Sequence, residues 1–591
     1  MILHRIDWII IFSFFLLSLI IGIIVSKKAG KNSEEFFVSG RSMPWWLLGV
    51  SMVATTFSTD TPNLVADMVR THGVFGNWLW WAFLITGMVT VFIYAKLWRR
   101  SNVLTDIEFY ELRYSGKNAA FLRWFRAIYL GVFFNVAIMA TVSLAAIKIG
   151  GVMFGFSPVK TILIASTIVV IYSMLGGLRG VLITDLFQFA IAMFGAIAVA
   201  VVAVNLPQVG GLTKLLANKN VIGKLSILPD FSNTKTLISI FIIPIAVQWW
   251  SVWYPGAEPG GGGYIVQRML AAKDENHAVG ATFFFNIAHY GLRPWPWIIV
   301  ALASLVVFPD IASLSKAFPH ISSNIMKNDL AYPAMLTFLP IGLLGLVVAS
   351  LIAAYMSTIS THLNWGSSYI VNDFYKRFIK KDASEKELVF VGRLSTLILM
   401  IIAGSLALFL QNALQAFHIL LQIGAGTGLI FLLRWFWWRI NAASEIAAMV
   451  ISFFVAVYFE LIHNRIGMPH LDDWEKLVIG VFITTIGWLA VALLTKPTDM
   501  EKLKSFYRKV YPGGPGWKKV YQELKGEKIS GEWDVPYNIV NITLGIITVY
   551  STIFSTGYWI YKNTIPALIS TGIMIISAFL LIKRWRKIKL N

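Results

Sequence analysis

The chain has 591 residues, 57% of them hydrophobic and only 14% charged, with a mean hydropathy of +0.69. That excludes a soluble globular protein of this length and places the chain among polytopic α-helical membrane proteins. The net charge of +20 does not point to nucleic acid, since the Lys and Arg residues lie in short loops between apolar runs; the absence of cysteine excludes disulfides, thiolate metal sites and a cysteine nucleophile.

Fifteen spans are expected in an all-α polytopic fold. They lie near 6–26, 44–70, 76–97, 122–150, 159–176, 181–205, 236–256, 277–308, 333–372, 387–411, 413–438, 441–464, 475–495, 536–556 and 563–584. The first run is long and lacks a small-residue cleavage motif, so it reads as a retained helix. The run 333–372 is too long for a simple span and is expected to extend beyond the bilayer. Alternate loops carry the basic residues, from Lys27, Lys28 and Lys31 through Arg99 and Arg100 to Lys376, Arg377, Lys380 and the tail after Ile582. The positive-inside rule then places the N-terminus outside and the C-terminus in the cytoplasm of an inner or plasma membrane protein. The loop 497–535, with its Pro-Gly-Gly-Pro-Gly run, reads as a cytoplasmic linker with a short amphipathic piece.

Two spans are interrupted. The first carries Ser51-Met-Val-Ala-Thr-Thr-Phe-Ser-Thr-Asp-Thr-Pro62, the second Pro255-Gly-Ala-Glu-Pro-Gly-Gly-Gly-Gly263. Prolines and clustered glycines break a helix. Each interruption opens a run of five spans, 44–205 and 236–438, a pattern that points to an inverted-repeat transporter with its site at the breaks. The expected division is an extra helix and loop (1–43), the first repeat (44–205), an external loop (206–235), the second repeat (236–438) and four further helices (439–591). The alternative is that 255–263 is an aqueous loop between two shorter segments.

Asp185 lies about one turn into the span 181–205. An intramembrane carboxylate is costly unless a cation or a wet cavity receives it, so its default reading is a place on an ion path. The alternative is a helix-end Asp paired with a loop residue such as Arg179. Further on, Ser357, Thr358, Ser360 and Thr361 bring four hydroxyls close together. Helical spacing clusters Ser357, Ser360 and Thr361 on one face. Hard cations want such oxygens; the alternative is that these hydroxyls only pack helices or bond to their own backbone.

Several runs resemble the sodium/solute symporter family, which includes sodium–glucose, sodium–proline and sodium–sialate cotransporters. They are Gly176-Gly177 with Val181, Thr184-Asp185 and Gln188; Thr105-Asp-Ile-Glu-Phe-Tyr-Glu-Leu-Arg-Tyr114; Val266-Gln-Arg-Met-Leu-Ala-Ala-Lys273; Asn372-Asp-Phe-Tyr375; and Phe436-Trp-Trp-Arg439. The resemblance spans about 40–445. It implies a five-plus-five inverted-repeat core working by alternating access, with sodium as the transported coupling ion. It also implies a main sodium site from the carbonyls of Ala54, Phe57 and Ala354 and the hydroxyls of Ser357 and Thr358. A second site, present in part of the family, implies Asp185 with Ser357, Ser360 and Thr361.

At the solute site the chain departs from the sugar and proline branches, whose second break carries aromatic and amide residues. Candidate solute contacts are Asp60, Asn77, Trp80, Glu258, His289, Arg293 and Gln422. Arg293 can bind a carboxylate or neutralise Glu258. The set suits a small polar organic solute, a sugar or sugar acid being favoured, without excluding an amino acid. Expected partners are that solute, sodium and the lipid bilayer, with no nucleic acid and no obligate protein partner evident. A transporter-like sensor is the competing class, and no kinase or receiver domain follows residue 584. An intramembrane enzyme is disfavoured, since neither His-Glu-x-x-His nor Gly-x-Ser-x-Gly occurs.

Overall fold

A computed structural model describes the backbone of residues 3–29, 38–251, 259–412, 417, 421, 424, 426–524, 527 and 533–585. The described residues are helical with no strand; their one isolated bridge joins Met43 to Ala272. Ten of the described helices are long and apolar enough to cross a membrane, from Val74–Ser101 to Thr564–Trp585. Three of the expected fifteen spans are instead shorter apolar helices, at Trp45–Thr56, Pro158–Val170 and Thr234–Ala246. The N-terminal run forms the helix Arg5–Ala29. Much of 413–438 lies outside the described residues.

Helices start where a polar side chain takes the free amides of the first turn. Ser157 accepts from Lys160 N ahead of Pro158, Asp274 from His277 N, and Ser384 from Glu387 N. Asn441 with Ser444 and Asp472 with Glu475 form reciprocal boxes at the first two helices after 438.

Helical bonding runs through Pro158–Val204, a stretch of 47 residues. It is not one rod. Ala165 and Val169 share a cavity wall with Tyr355 and Met356, while Asp185 bonds Ser357 and Gly195 lies beside Ser350. A straight helix rising 1.5 Å per residue cannot put both halves against the same turns of a neighbour. The chain therefore folds back between Val169 and Asp185.

Two expectations need correction. The run 333–372 holds a helix too long for a simple span, as expected, but it begins at Leu343 and reaches Ile379. Ala331–Leu336 ends, the chain turns, and a new helix runs over Leu343–Ser368, then continues with wider turns over Tyr369–Ile379. Pro340 supplies no amide and Gly342 has φ +84°, a conformation that favours glycine. The loop 497–535 does carry an amphipathic piece, Met500–Val510, but it is docked where a linker was expected. Helices Met500–Val510 and Lys518–Glu523 are seated on the body of the protein. Trp517 is fully buried, donates its indole N–H to Trp435 O at 2.8 Å, and stacks on Phe506.

Candidate functional site

The first interrupted span leaves helical geometry at Phe57. Helix Trp45–Thr56 ends there, Phe57 is extended (φ −85°, ψ 90°), and helix Asp60–His72 begins three residues later. The end of the first half-helix frees carbonyls at membrane depth, where water cannot satisfy them. Arg293 holds this end, donating to Thr56 O (3.0 Å) and to Val53 O (3.1 Å), which also accepts from Phe57 N, and its guanidinium lies over the rings of Trp297 and Phe57. A cation at a helix C-terminus is favourable. Arg293 is fully buried and caps this half-helix; its expected partner Glu258 lies outside the described residues.

The ion-path residues converge. Asp185 is fully buried and accepts from Ser51 Oγ at 2.5 Å and from Ser357 Oγ at 2.6 Å. Three elements thus meet at one carboxylate: the first half-helix, the helix of Asp185 and the hydroxyl-bearing helix Leu343–Ser368. Thr358 donates to Thr55 O at 3.0 Å, so the adjacent hydroxyl also faces the first half-helix. Ala54 O accepts from Phe57 N at 3.1 Å. Ala354 is buried one turn before Thr358. Thr361 Oγ1 is buried without a hydrogen-bond partner. Ser360 departs from the expected group; its hydroxyl turns back to Ser357 O at 3.1 Å, a common habit of helical serine.

Arg268 is the participant the sequence did not reveal. Its Nη2 lies 4.0 Å from Asp185 Oδ2 and 3.2 Å from Thr55 Oγ1, and its Nε donates to Ser51 Oγ at 3.3 Å. It projects from helix Gly263–Ala271, just past the second interruption. Arg179, the alternative partner for Asp185, falls outside the described side chains.

Around the second interruption, Gly260 and Gly261 have φ +79° and +88°. Residues 252–258, and so Glu258, lie outside the described residues, as does Gln422. The edges of the interruption are held by residues distant in sequence. Trp98 Nε1 donates to Gly260 O at 2.7 Å. Asp106 accepts from Gly263 N at 2.7 Å, at the start of helix Gly263–Ala271, and its other oxygen accepts from Tyr369 OH. A carboxylate suits a helix N-terminus.

The solute candidates are partly assembled. Asn77 Oδ1 accepts from Trp80 Nε1 at 2.9 Å, and the Trp80 ring lies edge-on to His289 (5.5 Å) and stacks on Tyr290 (5.6 Å). Asp60 opens the second half-helix. One turn on, Asn63 is buried with both amide atoms lacking a hydrogen-bond partner. Its place beside a break was the available signal, since buried amides in native proteins are paired.

Such a fold, with broken helices and a buried carboxylate–hydroxyl cluster at membrane depth, defines a membrane transporter. The profile described as "Sodium:solute symporter family" matches residues 36–452, and the chain belongs to that family, whose coupling ion is sodium. Among similar proteins are a sodium/glucose cotransporter of Vibrio parahaemolyticus, 26% identical over 463 residues (76% of this chain, 82% of that protein), and a sodium/myo-inositol cotransporter of Homo sapiens, 24% identical over 562 residues (85% and 75%). The fold is shared with a solved Na+-coupled sialic acid symporter at TM-score 0.63 and 21% identity, covering 84% of this chain and 99% of that one.

Proposed function

We propose that the protein imports a small polar organic solute, a sugar or sugar acid by preference, driven by the inward sodium gradient and alternating access. The observation that carries this reading is the convergence of Ser51, Asp185 and Ser357 on one buried point beside a broken helix. The main sodium site comprises the carbonyls of Ala54, Phe57 and Ala354 with the hydroxyls of Ser357 and Thr358. Asp185, Ser357 and Thr361 form the inner site, with Ser360 joining only after its hydroxyl rotates away from Ser357 O. Asp60, Asn63, Asn77, Trp80 and His289 line the solute's side, with Glu258 and Gln422 completing it. Residues 44–205 and 236–438 act as the two inverted repeats, with the N-terminus outside and the loop 497–535 in the cytoplasm.

Sodium and solute share the first break: Phe57 and Asp60 are three residues apart. Binding of one orders the backbone that the other needs, so their affinities are thermodynamically coupled. The sugar, inositol and sialic acid substrates named for similar proteins support a polyhydroxylated solute.

The test is a thermal-shift screen of the purified protein with sugars, sugar acids, polyols and amino acids, in sodium and in potassium. A sugar or sugar acid that raises the melting temperature only in sodium is the expected result; the shift follows from ligand binding to the native state alone. A sodium-dependent shift with amino acids alone replaces the substrate class. Shifts indifferent to sodium overturn the coupling. In proteoliposomes, Ser357→Ala with Thr358→Ala is expected to abolish sodium-dependent uptake.

A further inference from the structure

The N-terminal helix Arg5–Ala29 does not pack flush against the body. A cavity of about 270 Å³ separates its Trp8, Phe12 and Phe15 from Ile149, Ile168 and Met356. Among the described residues, the only side-chain oxygens on the wall belong to Thr59, Thr161 and Tyr355, and each is engaged already. Thr59 donates to Val142 O, Thr161 to Ser157 O, and the Tyr355 hydroxyl pairs with Ser143. With its wall oxygens engaged, a cavity of that size suits hydrocarbon better than water or a polar solute.

The opening shows which hydrocarbon. Phe12 (65% exposed), Ile164 (42%) and Ile168 (37%) form the rim, and in a spanning protein such residues face lipid tails. One end of the cavity is marked as the membrane interface: Trp8 packs on Phe154 at 5.6 Å, and tryptophan concentrates at headgroup level. Two cations stand at that end. Lys160 Nζ lies 4.2 Å over the ring of Phe156, itself a wall residue, and Arg5 is exposed one helical turn before Trp8. We propose that this cavity binds one acyl chain of an anionic phospholipid, with the headgroup phosphate beside Lys160 and Arg5.

The site has a consequence for the ion path. The cavity wall includes Thr59, in the first break, and Tyr355 with Met356, flanked by Ala354 and Ser357. Asp7, on the same N-terminal helix, accepts from Gly342 N (2.7 Å) and Gly345 N (2.8 Å) at the start of the hydroxyl-bearing helix. A bound tail fills the space behind the helix that carries Ser357 and Thr358.

The test is native mass spectrometry of the full chain in mild detergent, titrated with phosphatidylglycerol and with phosphatidylcholine. One tightly retained phosphatidylglycerol is expected, preferred over phosphatidylcholine by about fivefold for each engaged cation. Ala165→Trp, which fills the cavity, is expected to remove that retained lipid. Ile168→Trp at the exposed rim blocks the mouth without burdening the core, and keeps the test valid where Ala165→Trp fails to fold. Lys160→Glu is expected to erase the preference and keep the binding. Unchanged retention in Ile168→Trp, or equal affinity of the wild type for both lipids, overturns the proposal; a preference for a sterol over either phospholipid does so too. No arm depends on transport, so failure here leaves the proposed symport untouched, and the converse holds.

Discussion

Asp185 has one full charge beside it, the guanidinium of Arg268 at 4.0 Å, and two hydroxyls in direct contact. If the proposed inner site holds sodium, Arg268 and the ion are alternative neutralisers of Asp185, since two cations beside one buried carboxylate repel each other strongly. Removing the arginine charge leaves the carboxylate to the ion. Arg268→Gln, which keeps a donor for Thr55, is expected to lower the sodium concentration for half-saturation by roughly tenfold, equivalent to about 1.4 kcal/mol. Sodium-dependent tryptophan fluorescence, with 23 tryptophans as reporters, measures this directly. A half-saturation point equal to wild type means that Arg268 only braces the helix. Asp185→Asn is expected to act oppositely, costing about 3–5 kcal/mol of stability because the buried guanidinium loses its counter-charge. Thermal unfolding in detergent checks it; an unshifted melting temperature would show the pair to be dispensable.

At the scale of elements, the segment 102–108 runs back along helix Gly263–Ala271 and ties it to the extension of the hydroxyl-bearing helix. Arg99 and Arg41 fix its start, through Ala272 O and Val103 O. Asp106 fixes its far end on Gly263 N and Tyr369 OH. In the proposed alternating-access cycle, inward opening at this break would loosen that tie. A helix cap is worth about 1 kcal/mol, so Asp106→Ala is expected to raise the open fraction about fivefold. The chain has no cysteine, so Ser368→Cys is a clean reporter beside the tie. Its labelling from the proposed cytoplasmic side is expected to quicken about fivefold with Asp106→Ala and hardly at all with Asp106→Asn, which keeps the acceptor. Equal rates in all three backgrounds would reduce Asp106 to a local cap. The two breaks were legible in the sequence because proline, glycine and hydroxyl clusters act locally. The partners at the breaks were not. Arg268, Trp98 and Asp106 are reached only by knowing which faces meet, and spans apolar on every side carry no periodicity to say so. The bonds of Ser360 and Arg293 were out of reach for a related reason: each donates to a backbone carbonyl, which no side-chain pattern records.

Across the whole molecule, the segment 497–535 between the thirteenth and fourteenth expected spans is docked on the helical body. A column of aromatic rings runs from Trp517 and Phe506 through Trp435 to Trp98, whose indole holds Gly260 O at the second break. Arg113 binds the column from the side, with its guanidinium 4.7 Å from the Trp517 ring and donating to Arg434 O and Trp437 O. Lys96 and Asp534 add an ion pair between the same two regions. Polar composition disguised this, because the lysines and the Pro-Gly-Gly-Pro-Gly run of 497–535 surround the few rings that anchor it. Since interiors are close-packed, a gap at one end of the column is felt along it. Trp517→Ala is expected to cost about 3–5 kcal/mol, whereas Trp517→Phe keeps the ring and loses one hydrogen bond, about 1 kcal/mol. Stability alone does not separate a brace from a conduit, but amide hydrogen exchange does. Trp517→Ala is expected to speed exchange in Tyr264–Ala271, some 250 residues away in sequence, as well as in Met500–Glu523. Faster exchange confined to Met500–Glu523 would mean that the column ends at Trp435 and that the second break is held by Trp98 and Asp106 without help from the C-terminal segment.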